Sequence, residues 1–342
     1  SITFTGTNDF RLTGASTTGT RNIFCSNILT NVRVTNGTAG SSVAPTFNYN
    51  NLDFTGSLSS VFFTVARIYG NVTLGVGQTV GVPGAAANRP IHFLGTGTQT
   101  LASNSCSWTV PISVRTGTSG SGTLSLADTF TSSSDIYVEN GTFTTNNQTV
   151  TASNFRVAAE LVDTNPKVIN LGSSAVTISG SGVNAWNTNN ANTTLNAGTS
   201  VISFTNAANR TFNGGNKTFA TVRNSNSAGA LIVDGSPTID TLTNTVSPGQ
   251  FNFAAGTTTT VTNFNINGTI GALVNIRSTV SGTRAILSKS TGTVNTNYLD
   301  IQDSEATGGA TWNAYFSNGN INSGNNLGWD FFAQLGRTIF TR

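Results

Sequence analysis

Histidine, the side chain most often used in acid–base catalysis, is scarce in this chain of 342 residues. His92 is the only histidine, so any Ser-His-Asp triad must use it, and the sequence holds no histidine cluster for a metal ion. Ile91 and Phe93 flank it in an alternating pattern, which places His92 on the opposite face of a strand from both. The pattern therefore favours a surface or stacked histidine over a catalytic one.

Paired carboxylates are the groups that glycan cleavage requires, and one set of them lies close together in the sequence. These are Asp300, Asp303 and Glu305. On a continuous strand Asp303 and Glu305 would share one face, and Asp300 would lie on the other. Asp303 also precedes a Gly-rich turn, where aspartate commonly caps backbone N–H groups. We favour the capping role, and we expect no enzymatic activity, no catalytic residue, no cofactor and no metal site.

The two cysteines, Cys25 and Cys106, have no partners at the spacing of metal ligands. We expect buried free thiols, with a single long-range disulfide as the alternative. The N-terminus at Ser1 has neither a basic nor an apolar leader-like region. A trimmed initiator methionine and a leader or domain upstream of Ser1 both remain open.

The composition predicts which elements must position these residues. Only 8% of the chain is charged, against about 25% in ordinary soluble domains, so hydroxyls and amides must solvate the surface. The chain has 58 Thr and 43 Asn, and its apolar residues are mainly those that favour strands. The 16 basic residues are scattered singly, which argues against nucleic-acid binding. No apolar window approaches the ~18 residues of a membrane span, so membrane insertion is not expected.

The periodicity predicts many short strands. Alternating runs of four to seven residues are broken every 8 to 12 residues by Gly, Asn or Ser. Loose repetition favours an all-β fold of stacked short strands, in the manner of a β-solenoid. Frequent Asn-Gly turns keep tandem β-sandwich domains open as the alternative. We expect β modules at 1–90, 91–200 and 201–331, followed by an apolar terminal extension at 332–342.

Several phrases of the sequence resemble one family, the Thr/Gly/Asn-rich β-repeat proteins of tailed-phage virions, which are fibre-like or capsid-decorating and also occur among bacterial surface proteins. The phrases lie at 94–100, 120–127, 140–151, 195–201, 213–219 and 318–331, and 285–309 is similar to the closing module of that family. Many members end at the equivalent of Trp329 to Phe331, whereas this chain continues to Arg342.

The resemblance implies a non-enzymatic structural protein at the virion surface, as a tail fibre, a spike or a capsid decoration that serves assembly or host attachment. The implied partners are copies of itself in a homo-trimer, other virion proteins and host-surface glycans. One alternative is a bacterial adhesin or filament subunit, extracellular at the cell surface. A second alternative is a glycan-degrading tailspike.

Two sets of residues are candidates for binding. The terminal extension carries apolar side chains without a turn-rich shield, and an exposed apolar strand would associate with other strands. We expect it to cap the stack or to add to the sheet of a neighbouring chain, through Leu335, Arg337, Ile339 and Phe340. Although core packing is the default for aromatic residues, Trp312 and Tyr315 lie between Gly-rich turns. They are the candidates for stacking on a glycan.

Overall fold

A computed structural model describes residues 9–12, 21–23, 30–34, 41–43, 48–55, 61–63, 66–81, 90–116, 121–157 and 164–332. The chain divides into two compact units, Ser1–Ser203 and Phe204–Arg342. The finer division into three modules stays a prediction. Within the described residues there is no α-helix, and the only helical element is one 3-10 turn, Phe316–Asn318.

The first unit contains 22 complete strands among its described residues. They are β1 Asp9–Leu12, β2 Arg21–Ile23, β3 Thr30–Val34, β4 Ser41–Val43, β5 Asn48–Phe54, β6 Val61–Phe63, β7 Arg67–Ile68, β8 Val72–Leu74, β9 Thr79–Gly81, β10 Ile91–Phe93, β11 Thr98–Ala102, β12 Ser107–Trp108, β13 Ile112–Arg115, β14 Thr123–Leu126, β15 Phe130–Ser132, β16 Ile136–Thr144, β17 Val150–Ala152, β18 Phe155–Val157, β19 Lys167–Asn170, β20 Ala175–Ile178, β21 Gly182–Asn187 and β22 Thr193–Asn196.

Strand β23, Val201–Phe204, lies at the boundary of the two units. The strands of the second unit are β24 Arg210–Asn213, β25 Thr218–Asn224, β26 Leu231–Asp234, β27 Thr238–Asn244, β28 Gly249–Phe253, β29 Thr258–Asn265, β30 Val274–Ser278, β31 Ala285–Ser288, β32 Thr293–Asn295, β33 Leu299–Ile301, β34 Ser304–Thr307, β35 Thr311–Asn313, β36 Ile321–Asn322 and β37 Trp329–Asp330.

Each strand pairs in parallel with the strand one turn later. In the first unit β10 pairs with β13 and β13 with β16, and in the second β25 pairs with β27 and β27 with β29. Parallel stacking of successive turns is the arrangement of a β-solenoid. The prediction of an all-β, solenoid-like fold is confirmed. The sandwich alternative is wrong, because its sheets are antiparallel.

The length of a turn is not constant. Ile136 of β16 pairs with Phe155, 19 positions later, whereas Phe155 pairs with Trp186, 31 positions later. The described strands stay in register although the number of residues between them differs. Insertions at solvent-facing corners cost little stability, since they leave the pairing and the core unchanged.

Alternation along each strand separates a narrow apolar core from a polar surface. In β14, Leu124 and Leu126 are fully buried between the outward Thr123 and Ser125. Aromatic rings continue the core from turn to turn, as in the stacked pair Phe155 and Trp186, whose ring centres are 4.4 Å apart. Burial of such large rings dominates the apolar stabilisation of a narrow core.

Outward side chains form the neutral ladders expected from the composition. Thr98, Thr123 and Thr142 pair in register on successive turns of the first unit. On the same face, the side-chain amide of Asn196 donates a 2.7 Å hydrogen bond to the amide oxygen of Asn170. Hydroxyl and amide groups thus replace charged residues as the solvating groups of this face.

Buried polar side chains close the corners. Gln99 accepts a hydrogen bond from the Gly95 N–H (2.7 Å) and donates to the carbonyl oxygens of Ile68 and Gly70. Because an unpaired backbone group in the interior is costly, such side chains are needed wherever a strand ends inside the wall.

Candidate functional site

His92 lies inside a ladder of the first unit. It pairs in register with Arg67 on one side and Ser113 on the other, and only 7% of its surface is exposed. The stacked position is confirmed, and the surface position is wrong. Residues of the adjacent turns cover the ring, so ladder packing accounts for its burial.

A buried polar group of the first unit surrounds Glu139. Its carboxylate accepts hydrogen bonds from the Ser113 hydroxyl (2.8 Å) and the Arg115 Nε (3.0 Å), and Arg115 Nη2 lies 2.8 Å away. Glu139 is the extra residue of a β-bulge, because Val114 pairs with Val138 while Arg115 pairs with Asn140. Its side chain is 1% exposed, so the ion pair stabilises the bulge rather than facing a ligand.

The Asp300 set does not form a pair of reacting carboxylates. β33 ends at Ile301 and β34 begins at Ser304, so the continuous strand that would place Asp303 and Glu305 on one face does not form. Asp303 occupies the corner between them, with a left-handed φ of 54° and 4% exposure, and it accepts a 2.6 Å bond from Asn325. Asp300 instead forms a 2.7 Å ion pair with Arg277. These bonds hold adjacent turns together.

Cys106 is a buried free thiol in the first unit, and its Sγ donates a hydrogen bond to the Gly75 carbonyl oxygen at 2.9 Å. Burial raises the pKa of this thiol above its usual value. A buried, protonated thiol is chemically inert. Cys25 lies outside the described residues.

The two candidates for glycan stacking have different environments. Trp312 is 1% exposed and packs at 5.0 Å from Trp329, its register partner on the next turn, with Phe264 at 5.5 Å. Its ring has no free face for a sugar, so the expectation of an exposed Trp312 is wrong. Tyr315 is half-buried and immediately precedes the 3-10 turn. A stacking role for Tyr315 stays a prediction.

An exposed aromatic group lies beside Tyr315. We define the terminal aromatic cluster as Phe316, Phe331 and Phe332. Phe316 stacks on Phe331 at 5.5 Å and meets Phe332 edge-on at 5.4 Å. Phe331 is buried, whereas Phe316 is 47% exposed and Phe332 is 74% exposed. Sequence reasoning assigned Phe332 to the terminal extension but missed Phe316, whose only signal is its place beside an Asn-Gly turn.

The cluster lies on the last described turn of the solenoid. Among the described residues, β36 pairs only with β33 and β37 only with β35. Two further apolar side chains of this turn, Ile321 and Leu327, are exposed. The predicted assembly residues Leu335, Arg337, Ile339 and Phe340 follow this turn directly and lie outside the described residues.

The described residues contain no group of three or more His, Cys, Asp or Glu side chains that could hold a metal ion. None of their helical segments is long and apolar enough to span a membrane.

Comparison with known proteins leaves the resemblance noted above untested. No protein-family model, no curated protein and no solved structure matches this chain. The class that the described residues define is a parallel β-solenoid with neutral polar walls and exposed aromatic side chains on its last described turn.

Proposed function

We propose that this protein is a non-enzymatic structural component of the surface of a tailed-phage virion. It serves as a fibre, a spike or a capsid decoration, and it assembles with copies of itself through the C-terminal end of its solenoid. The terminal aromatic cluster carries this proposal, because two large apolar rings are exposed beside strands that have no further partner among the described residues. A copy of the chain that covers them removes apolar area from water and pairs with these strands.

The occupant of this end is a second copy of the chain. Residues 333–342 directly follow Phe332 and include Leu335, Ile339 and Phe340. An extended segment of this kind can add as a strand to the sheet of a neighbour. In an oligomer with closed rotational symmetry, every copy donates the segment to one neighbour and receives it from another. We take the oligomer to be a homo-trimer, which is the state that the resemblance to fibre-like proteins implies.

The walls are suited to an assembled particle surface. Buried or half-buried carboxylates such as Glu139 and Asp300 are neutralised by arginines within the same wall. The outward ladders are hydroxyls and amides, so copies approach one another and other virion proteins without strong charge repulsion. Such walls also present hydrogen-bonding groups that suit host-surface glycans.

Replacing Phe316 and Phe332 together by Ser tests this proposal. We expect the double variant to dissociate at least tenfold more readily than the parent, because the apolar area at the contact is lost. Sedimentation velocity over a range of concentrations measures the dissociation, and circular dichroism checks that the strands remain.

Ile270→Ser is the matched control, because Ile270 is 83% exposed on a turn of the same unit and does not belong to the terminal aromatic cluster. It should leave assembly unchanged. A double variant that assembles as well as the parent, or a parent that stays monomeric throughout, would reject the proposal.

A further inference from the structure

A break in the strand stacking opens a cavity in the second unit. β29 pairs along most of its length with β27, but β31 pairs only with its first part, Thr258–Thr260. The chain then turns after Lys289 to β32, which pairs with β35. Among the described residues, no strand of the following turn pairs with Asn263–Asn265. A groove therefore replaces the continuous wall found elsewhere.

The groove encloses about 220 Å³. Its apolar floor is formed by Phe264 and Val294, both nearly fully buried. Around the floor stand amide, hydroxyl and ammonium groups from Thr262, Asn263, Asn265, Asn267, Lys289, Thr293 and Asn295. The volume lies below the ~300–1,000 Å³ of pockets for drug-sized ligands, so the groove suits one small polar unit.

Lys289 supplies the only charge in the lining. Its ammonium donates a hydrogen bond to the Thr262 carbonyl oxygen, which holds the side chain across the groove. No carboxylate of the described residues forms an ion pair with it, and no acidic residue lines the groove. An ammonium has three donors, so the remaining two N–H groups are available to an anionic ligand.

The neighbouring amides and hydroxyls supply neutral hydrogen-bonding groups. The side chains of Asn265 and Thr293 make no hydrogen bond to protein in the described part of the chain. The amide oxygen of Asn295 accepts a 2.8 Å bond from Asn313, which orients its NH₂ group. Side-chain amides pair well with hydroxyls, because each offers both donors and an acceptor.

We propose that this groove binds a carboxylated sugar, such as one uronic-acid residue of an acidic polysaccharide. Lys289 pairs with the sugar carboxylate, and Asn265, Thr293 and Asn295 bind its hydroxyls. A phosphate site would use several cations or converging backbone N–H groups, and this lining has one cation among neutral side chains. The inference extends the proposed function by giving the surface protein a class of host glycan to bind.

Titration of the intact chain with digalacturonate at low salt tests the site, with the methyl ester of the same disaccharide as the neutral ligand. We expect millimolar or tighter binding of the acid. Lys289→Gln should weaken it about tenfold, because a charge-assisted bond is lost, and should leave the weaker binding of the ester unchanged. Asn265→Ala should weaken the binding of both sugars. Saturation-transfer NMR and calorimetry measure these affinities.

Lys217→Gln is the matched control, since Lys217 is another half-buried lysine of the same unit and lies outside the groove. It should bind both sugars like the parent. Absence of binding to the parent, equal affinity for acid and ester, equal affinity of Lys289→Gln and the parent, or displacement by an equal concentration of inorganic phosphate would each overturn the assignment. Lys289→Gln should keep the parent's oligomeric state, so this test and the assembly test fail separately.

Discussion

Buried charged side chains in this protein form hydrogen bonds with neutral partners as well as ion pairs with charged ones. Arg210 is fully buried, and its guanidinium donates to the carbonyl oxygens of Ala208 (2.6 Å) and Gly229 (3.2 Å) and to the side-chain oxygen of Asn224 (2.7 Å). Burial lowers the pKa of Arg210 to about 10, so the group stays charged at neutral pH. Guanidinium geometry suits this role, because its donors fan out in one plane toward several carbonyls.

Tyr137 provides a test of the polar wall at alkaline pH. Its hydroxyl donates a 2.9 Å hydrogen bond to Asp135, and burial together with the nearby Asp135 charge raises the pKa of Tyr137 to about 12. An unfolded tyrosine has a pKa of about 10, so the folded state holds this proton more tightly. The resulting stability is fully present below pH ~10 and is lost as the pH rises through ~12.

Urea unfolding of the parent and of Tyr137→Phe at several pH values between about 9 and 12 measures this linkage. The free energy of unfolding of the parent should fall more steeply with pH than that of the variant, which has no phenol to ionise. If the free energies of unfolding of the parent and of Tyr137→Phe fell equally with pH, Tyr137 would have the same pKa in the folded and unfolded states, which would contradict this prediction.

At the residue scale, sequence gives the orientation of side chains better than their exposure. Alternation correctly places His92 on the opposite face of β10 from Ile91 and Phe93. It gives no information about what covers that face, since the cover comes from residues one turn away in a solenoid of variable turn length. The burial of Trp312 is unpredicted for the same reason. Its partner Trp329 is 17 positions away in the sequence and becomes its neighbour only through the parallel register of β35 and β37.

At the element scale, the Asn-Gly pairs do not distinguish a β-sandwich from a β-solenoid. Asn140 and Gly141 lie in the middle of β16, where the chain bends from one partner strand to the next, and no hairpin forms there. Gly141 has φ of 82°, the left-handed region that glycine adopts without strain. The Asn-Gly pair therefore predicts that the chain bends at this position. It does not predict whether the strand after the bend pairs in parallel, as in a solenoid, or antiparallel, as in a hairpin.

Gly141→Ala tests this bend. A Cβ at position 141 would lie 1.8 Å from the Thr116 hydroxyl oxygen, which itself donates a 2.6 Å bond to the Gly122 carbonyl. We expect a loss of about 1–3 kcal/mol in the free energy of unfolding, from backbone strain and the displaced hydroxyl. Chemical denaturation measures the loss.

Gly97→Ala is the matched control, because a Cβ there meets no atom within 4 Å and the backbone is not left-handed. Its stability should stay within about 0.5 kcal/mol of the parent. Equal stability of the two variants would contradict the described geometry of β16.

On the scale of the whole molecule, composition helps to predict the fold class because it indicates which side chains solvate the surface. Few charges, many Thr and Asn residues and short alternating runs favour stacked strands with neutral ladders, and the described strands have this arrangement. The terminal aromatic cluster, where we propose that copies assemble, is only partly predictable from the sequence. The apolar extension after Phe332 is visible in the sequence, whereas the exposure of Phe316 depends on the 3-10 turn that carries it and on its packing against Phe331 and Phe332.

The mass of the assembled protein in solution tests the central claim most directly. Light scattering coupled to size exclusion should give the intact chain a mass near three times 35.4 kDa. A chain ending at Phe332 should elute as a monomer with an unchanged strand signal in circular dichroism, because the solenoid body does not depend on the extension. A monomeric intact chain, or a truncated chain that remains a trimer, would contradict assembly through this end.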